Sequence, residues 1–277
     1  MNKYNLLKTL INDSETLVVP DAYDGLSAKM IELCGFKAVQ CSGYSMSISK
    51  MLKDETLLTL EDNLKRTKEI VAAVDVPVIA DGEDGYGNKN IFRQNIIKFI
   101  ETGIAGINIE DQILWDPYCS EKIVSMDKMT DKVDEVIKIK KEMGIENFVL
   151  NARTDALRSL DNREKALGLA IERANTYLDL GADICFIAYV KTKSEIEILA
   201  REIDGPISIA AGLPYNIDEF SINDCIELGI ARVSLPTLLI SGVMKNMKSI
   251  LDRVREEGSF EEVKNQMIDY QYLQKIF

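Results

Sequence analysis

The chain has 277 residues, 46% of them apolar and 28% charged, with a formal net charge of −12 and no histidine. That balance belongs to an ordinary globular protein rather than a disordered or fibrous one, and its acidity excludes the basic patch that a nucleic-acid partner would require. Without histidine, the commonest general acid/base and the commonest transition-metal ligand are both missing, so proton transfer falls to carboxylates, Lys, Tyr or Cys.

From the N-terminus, the first fifteen residues carry no long apolar core and no small-residue cleavage site, so no signal peptide is expected. No apolar stretch approaches the ~18 residues of a membrane span. Strand candidates then follow at 16–20, 38–42, 76–80, 106–110, 148–152, 184–188, 206–210 and 232–236. They are short, apolar and rich in β-branched residues, as buried parallel strands are. Helical patterns separate them at 24–34, 60–74, 90–102, 127–143, 161–180, 193–203, 217–228 and 237–256. Several helices end on a glycine (Gly35, Gly103, Gly181, Gly229), the residue that takes the left-handed cap just past a helix end. Eight βα units without a Pro/Ser-rich linker predict an α/β fold, a single (β/α)8 barrel domain over 1–277, a size that suits the ~250 residues such a barrel needs.

Residues 259–277 exceed what eight units require. They are helical in pattern, with an apolar face (Phe260, Val263, Met267, Tyr270, Leu273, Phe277) that covers either its own barrel or a neighbouring subunit. The five cysteines (Cys34, Cys41, Cys119, Cys185, Cys225) are scattered and odd in number, without metal-ligand spacing, and read as reduced thiols of a cytoplasmic protein.

Three of the apolar runs end in charged groups. The first leads into Asp81-Gly82-Glu83-Asp84, the second into Glu110-Asp111-Gln112, and the third into Asn151-Ala152-Arg153-Thr154-Asp155. Polar groups at the carboxyl ends of successive parallel strands converge on one face, where such folds place their sites. Solvated βα-loops are usually polar too, but three such ends between 81 and 155 favour a site. Three carboxylates and one guanidinium suit a hard divalent cation and a small anionic substrate.

At these residues the chain resembles the isocitrate lyase/phosphoenolpyruvate mutase superfamily, over roughly residues 15–257. The resemblance rests on the opening Pro20-Asp21-Ala22-Tyr23-Asp24-Gly25, the turn Ser42-Gly43-Tyr44, and Asp54 in the next loop. It continues in the element Asp81-Gly82-Glu83-Asp84-Gly85-Tyr86-Gly87-Asn88, the pair Glu110-Asp111 and the pair Ala152-Arg153. It implies Mg2+ (or Mn2+) held by Asp81, Glu83 and Glu110, partly through water. The metal would chelate a 2-oxo or 2-hydroxy carboxylate and stabilise the enolate formed on bond cleavage. Arg153 would hold the substrate carboxylate or the developing oxyanion. Backbone amides around Ser42, Gly43 and Tyr44 would cradle an anionic end of the ligand, and Tyr44 joins the candidate catalytic residues. Asp54 matches an aspartate lying over the substrate, although read on its own it is equally a solvated loop acid.

The departures from the family pattern matter. Glu83 stands where a second aspartate is usual. The loop 113–122 has Cys119 near the position of a catalytic thiol but lacks the flanking basic residues and a following histidine. Cys119 is thus either the proton donor or an incidental loop thiol. At the end of the sixth strand stand Ala188 and Tyr189, where phosphonate-processing members carry histidine. The leading expectation is a Mg2+-dependent lyase. It cleaves a C–C bond of a small 2-hydroxy or 2-oxo di- or tricarboxylate, with methylisocitrate-, dimethylmalate- or oxaloacetate-like substrates in view. Phosphonopyruvate hydrolysis or phosphoenolpyruvate mutation is the second, and a non-catalytic 2-oxo-acid-binding barrel the third. The resemblance, with the surplus C-terminal segment, also implies a homotetramer built as a dimer of dimers through exchanged terminal helices.

Overall fold

Eight strands run in chain order around a closed, all-parallel barrel: β1 (Leu17–Ala22), β2 (Val39–Cys41), β3 (Val78–Asp81), β4 (Gly106–Glu110), β5 (Val149–Thr154), β6 (Ile184–Ile187), β7 (Ile207–Ala210) and β8 (Arg232–Leu235). The structure is a computed structural model and describes residues 2–52, 58–113, 121–261 and 263–276. β1 closes the ring on β8, with Leu17 opposite Arg232 and Pro20 opposite Leu235. The (β/α)8 expectation is met, strand for strand. No helix among the described residues is long and apolar enough to cross a membrane.

The helices begin as polar side chains dictate. Asp24, Ser42, Thr59, Asn88, Ser125, Asn162, Thr192 and Ser221 each accept a backbone N–H in the first turn of the helix that follows. Those helices are α2 (Gly25–Leu33), α3 (Gly43–Ser49), α4 (Leu60–Ala73), α5 (Lys89–Glu101), α6 (Met126–Glu142), α8 (Arg163–Asp179), α9 (Lys193–Glu202) and α10 (Ile222–Glu227). A short α7 (Ala156–Ser159) lies between β5 and α8. The four glycines expected past helix ends all have positive φ.

Besides the short α7, two helices lie outside the expected set. α1 (Lys3–Ile11) precedes the barrel and buries Leu7 and Ile11 with Val19, Ile79, Val149 and Ile184, plugging the amino-terminal end of the ring. Gly106 admits that plug, since a Cβ there would lie 2.9 Å from Val149 and 3.1 Å from Leu7. α3 replaces what reads as a simple Ser-Gly turn; its serine-rich sequence shows no apolar period, and the Ser42 cap starts it. The expected helix 217–228 shortens to α10.

Above the plug, inward-facing polar side chains pair across the barrel. Arg232 donates to Gln40 Oε1 (2.6 Å) and Ser208 Oγ (2.7 Å), and Asn151 donates to Asn108 Oδ1 (2.8 Å). On the plug side, Asp183 accepts from Lys140 Nζ and the Leu150 amide, both at 2.7 Å, and from Lys8.

The chain divides into two compact units, Met1–Leu239 and Ile240–Phe277. The second holds most of α11 (Leu238–Glu257), a short 3-10 turn (Lys264–Gln266) and α12 (Tyr270–Ile276). The segment 259–277 is therefore not one continuous helix, as its pattern suggests. Val263 is buried, while Leu251, Phe260, Met267 and Tyr270 are exposed.

Candidate active site

Alternation along β3, β4 and β5 turns Asp81, Glu110 and Arg153 inward at the carboxyl ends of three adjacent strands. Register sets Glu110 directly opposite Arg153, and the two side chains form an ion pair of 2.7 Å. Just past β3 the backbone bends, and Glu83 has a φ of 50°, a left-handed conformation for a non-glycine residue. Such outliers cost about 1–3 kcal/mol and gather at functional sites. The bend brings the buried Glu83 carboxylate against the start of α3, so that a Cβ at Gly43 would overlap its Oε1 and lie 3.1 Å from Asp81 Oδ2. Only glycine leaves room there.

Asp81 Oδ2 accepts the Gly43 N–H at 3.0 Å, while Oδ1 is buried without a hydrogen-bond partner. Burial raises the Asp81 pKa, and Arg153 and the Gly43 amide pull it back only in part. Burial by itself would weaken the Arg153 charge, but Asp155, Glu110 and Asp81 together raise its pKa well above the ordinary arginine value. Asp155 fixes the guanidinium through Nε (2.8 Å) and Nη2 (3.3 Å), and the Phe186 ring lies beneath it at 5.4 Å. The guanidinium is thus held planar and charged over the mouth.

Asp81, Glu83, Glu110, Arg153 and Gly43 are therefore brought together. Ser42 caps α3 and reaches Pro236 O at 3.4 Å, and Tyr44, in the first turn of that helix, is half-exposed. Asp54 and Cys119 lie outside the described residues. Asp111, the second member of the Glu110-Asp111 pair, turns away from the mouth. It accepts from Thr154 (2.7 Å), Arg173 (2.9 Å), Tyr177 (3.0 Å) and the Asp155 amide (2.8 Å), tying β4 to β5 and α8. Sequence reasoning names Asp155 in the third charged strand end but gives it no role, although its place just past β5, two residues after Arg153, is a usable signal. It also misses Asn63, which donates to Asp81 O (2.8 Å) and Tyr86 Oη (2.9 Å) and steadies the loop after β3; a polar residue within a helix carries no such signal.

The donor chemistry fits a hard cation. Glu83 Oε1 and Asp81 Oδ2, both carboxylate oxygens, meet at one face of Gly43, and the other Asp81 oxygen, Oδ1, is buried without a hydrogen-bond partner. Among the described residues no three acidic, Cys or His side chains are grouped to hold a metal ion, and Glu110 is paired with Arg153. Magnesium commonly keeps several waters and takes only one or two protein carboxylates, so this pair suffices as an anchor.

The phosphoenolpyruvate phosphomutase family model matches residues 7–255. The chain is similar to 2,3-dimethylmalate lyase of Eubacterium barkeri, 32% identical over 74% of this chain and 70% of that protein. It is also similar to 2-methylisocitrate lyase of Halalkalibacterium halodurans, 26% identical over 92% of this chain and 82% of that protein. Among solved structures, an oxaloacetate acetylhydrolase in complex with the product oxalate superposes with a TM-score of 0.83 at 26% identity, covering 93% of this chain and 88% of the other. With the barrel, the acidic strand ends and these likenesses in agreement, the chain belongs to the phosphoenolpyruvate phosphomutase family, within the PEP mutase/isocitrate lyase superfamily.

Proposed function

We propose that this protein is a Mg2+-dependent carbon–carbon lyase acting on a small 2-hydroxy or 2-oxo carboxylate and releasing a 2-oxo acid. The observation that carries the reading is the paired Glu110 and Arg153 beside the Asp81–Glu83 carboxylates at the barrel mouth. The lyase class is supported by relatives that are themselves named lyases. Asp81 and Glu83, with Glu110 nearby, would hold Mg2+, which would supply Lewis-acid stabilisation of charge on the substrate's oxygens. Arg153, held by Asp155 and Glu110, would present its remaining N–H groups to the substrate carboxylate. Its fixed positive charge stabilises the negative charge that develops when the C–C bond breaks, without reorganisation at that moment. The proton taken up by the carbon left behind would come from the loop 113–122, with Cys119 the candidate donor. Asp54 and Tyr44 are the further candidates over the substrate, and Ser42 and Gly43 shape its floor. The free cysteines among the described residues support a cytoplasmic location.

The test is a panel of small acids with purified protein and Mg2+, read as pyruvate or other 2-oxo acid by a coupled dehydrogenase. Turnover that EDTA abolishes and Mg2+ restores is expected; full activity in EDTA would refute the metal. The phosphomutase family match gives a second reading, C–P chemistry on phosphonopyruvate. A phosphoryl dianion needs several donors, and of the nearby cations Arg158 is already engaged with Asp155 and Tyr189. Phosphonopyruvate turnover faster than that of any carboxylate would reverse the order. Binding of acids with no turnover would leave a binding barrel.

A further inference from the structure

The mouth is chemically one-sided. β3, β4 and β5 end in charged groups, whereas β6 and β7 lead to Ala188 and Ala210, both buried. Phe186 lies under Arg153, so it faces the interior, and alternation turns Ala188 the same way. Ser208 reaches the interior Arg232, so Ala210, two residues on, shares that side. Phe186, Ala188 and Ala210 form an apolar cluster of their own, and Leu213 and Tyr189 pack against it.

The wall is built rather than incidental. Asn216, buried to 1% exposure, donates to Val190 O and Ala210 O, both at 3.0 Å, and accepts from the Leu213 amide at 2.9 Å. One side chain thereby locks the segments that follow β6 and β7 to each other. Tyr215 stacks on Tyr189, with centroids 5.9 Å apart and planes at 24°. Two arginines on this flank are engaged. Arg158 pairs with Asp155 and donates to Tyr189 Oη (2.8 Å), and Arg163 binds Glu195 through two bonds. A carboxylate placed against Ala188 and Ala210 would lose its water and meet no donor from either side chain. A methyl group would lose nothing.

We infer that Ala188 and Ala210, backed by Phe186 and Leu213, are specificity-determining residues that select a substrate carrying a small alkyl substituent, not a further carboxylate, on the β6–β7 side. The inference rests on the lyase reading for its orientation: Arg153 takes the reacting carboxylate, and the adjoining carbon then faces the wall.

The full-length protein in Mg2+ provides the test. kcat/KM is measured for 2-hydroxydicarboxylates bearing no, one or two methyl groups and for a homologue bearing a carboxymethyl group instead. A rise of about tenfold for the first methyl, and at least a tenfold penalty for the carboxymethyl compound, is expected. Ala210→Leu should fill the space, raising KM for the methylated acids tenfold while moving the unsubstituted acid less than threefold. Ala210→Val gives a smaller version of the same change should the leucine variant misfold. In parallel, calorimetry with Mg2+ ranks pyruvate, 2-oxobutyrate, 3-methyl-2-oxobutanoate and 2-oxoglutarate. If no acid turns over but the branched acid binds tightest and 2-oxoglutarate weakest, the lyase reading fails and the wall stands. A carboxymethyl preference in turnover, 2-oxoglutarate binding as tightly as the branched acid, no binding by any of them, or an unaltered order in both variants overturns the wall.

Discussion

At Asp81, burial and charge work against each other: desolvation favours the protonated acid, while Arg153 and the Gly43 amide favour the carboxylate. A divalent cation would settle that contest in favour of the carboxylate, which is why the residue matters more to chemistry than to folding. Asp81→Ala is expected to lower kcat/KM at least a thousandfold, about 4 kcal/mol, with a thermal midpoint within a few degrees of the parent. Loss of the cooperative transition in that variant would contradict it. Gly43→Ala is expected to do comparable harm to Mg2+ affinity by displacing Glu83, seen as a rise in the Mg2+ concentration for half-maximal activity. Asp81, Glu83, Glu110 and Arg153 were legible because each closes an apolar strand run. Arg232 and Asn63 were not, because a strand arginine or a helical asparagine shows its partner only once the barrel is closed. Among the described cysteines only Cys34 is exposed. Burial holds the Cys41 and Cys185 thiols well above their ordinary pKa and pushes Cys225 up to about 11, so Cys34 should be the one of these four to label quickly in peptide mapping.

The strands, most helices and the glycine stops were all readable from period and punctuation. α1 was not, because Leu7 and Ile11 make too narrow a stripe to declare a helix; α3 was hidden by its serines. The join between α8 and α9 depends on Arg163 and Glu195. Burial alone would raise the Glu195 pKa, but two bonds from Arg163 and the Lys191 amide leave it lowered. A lowered folded pKa means stabilisation that is present above the unfolded value, near pH 4.3, and lost as the pH falls through the folded one. Glu195→Gln should therefore cost about 1–2 kcal/mol at pH 7, and the gap between the two proteins in urea melts should narrow as the pH falls below about 4. A constant gap across that range would remove the ion pair as its cause.

On the scale of the whole molecule, the barrel separates durability from chemistry by its two ends. Asp183, on the α1 side, answers the buried Lys140 and also pairs with Lys8. Asp183→Ala leaves the Lys140 ammonium buried without its carboxylate, a loss of about 3–5 kcal/mol, while kcat under folding conditions stays unchanged. A fall in kcat with unchanged stability would reverse that division. Assembly belongs at this scale too. Leu251, Phe260, Met267 and Tyr270 of the second unit are exposed, apolar side chains that subunit contact would cover. We expect a homotetramer, and light scattering at micromolar concentration that returned 31.1 kDa would rule it out.

The pairing of β1 with β8 also governs how the chain comes off the ribosome. β1 is complete at residue 22 and its second neighbour only at residue 235. At about 5–20 residues per second, the nascent chain holds an open sheet for roughly ten to forty seconds. Throughout that interval the free edge of β1, and later that of β7, offers unpaired N–H and C=O groups to any other extended chain. Arg232 also arrives last, so Gln40 and Ser208 wait in the half-formed interior without the guanidinium that will bridge them. Truncation before residue 232 should consequently yield insoluble protein rather than a smaller folded one, because the eighth strand alone converts two adhesive borders into a ring with none.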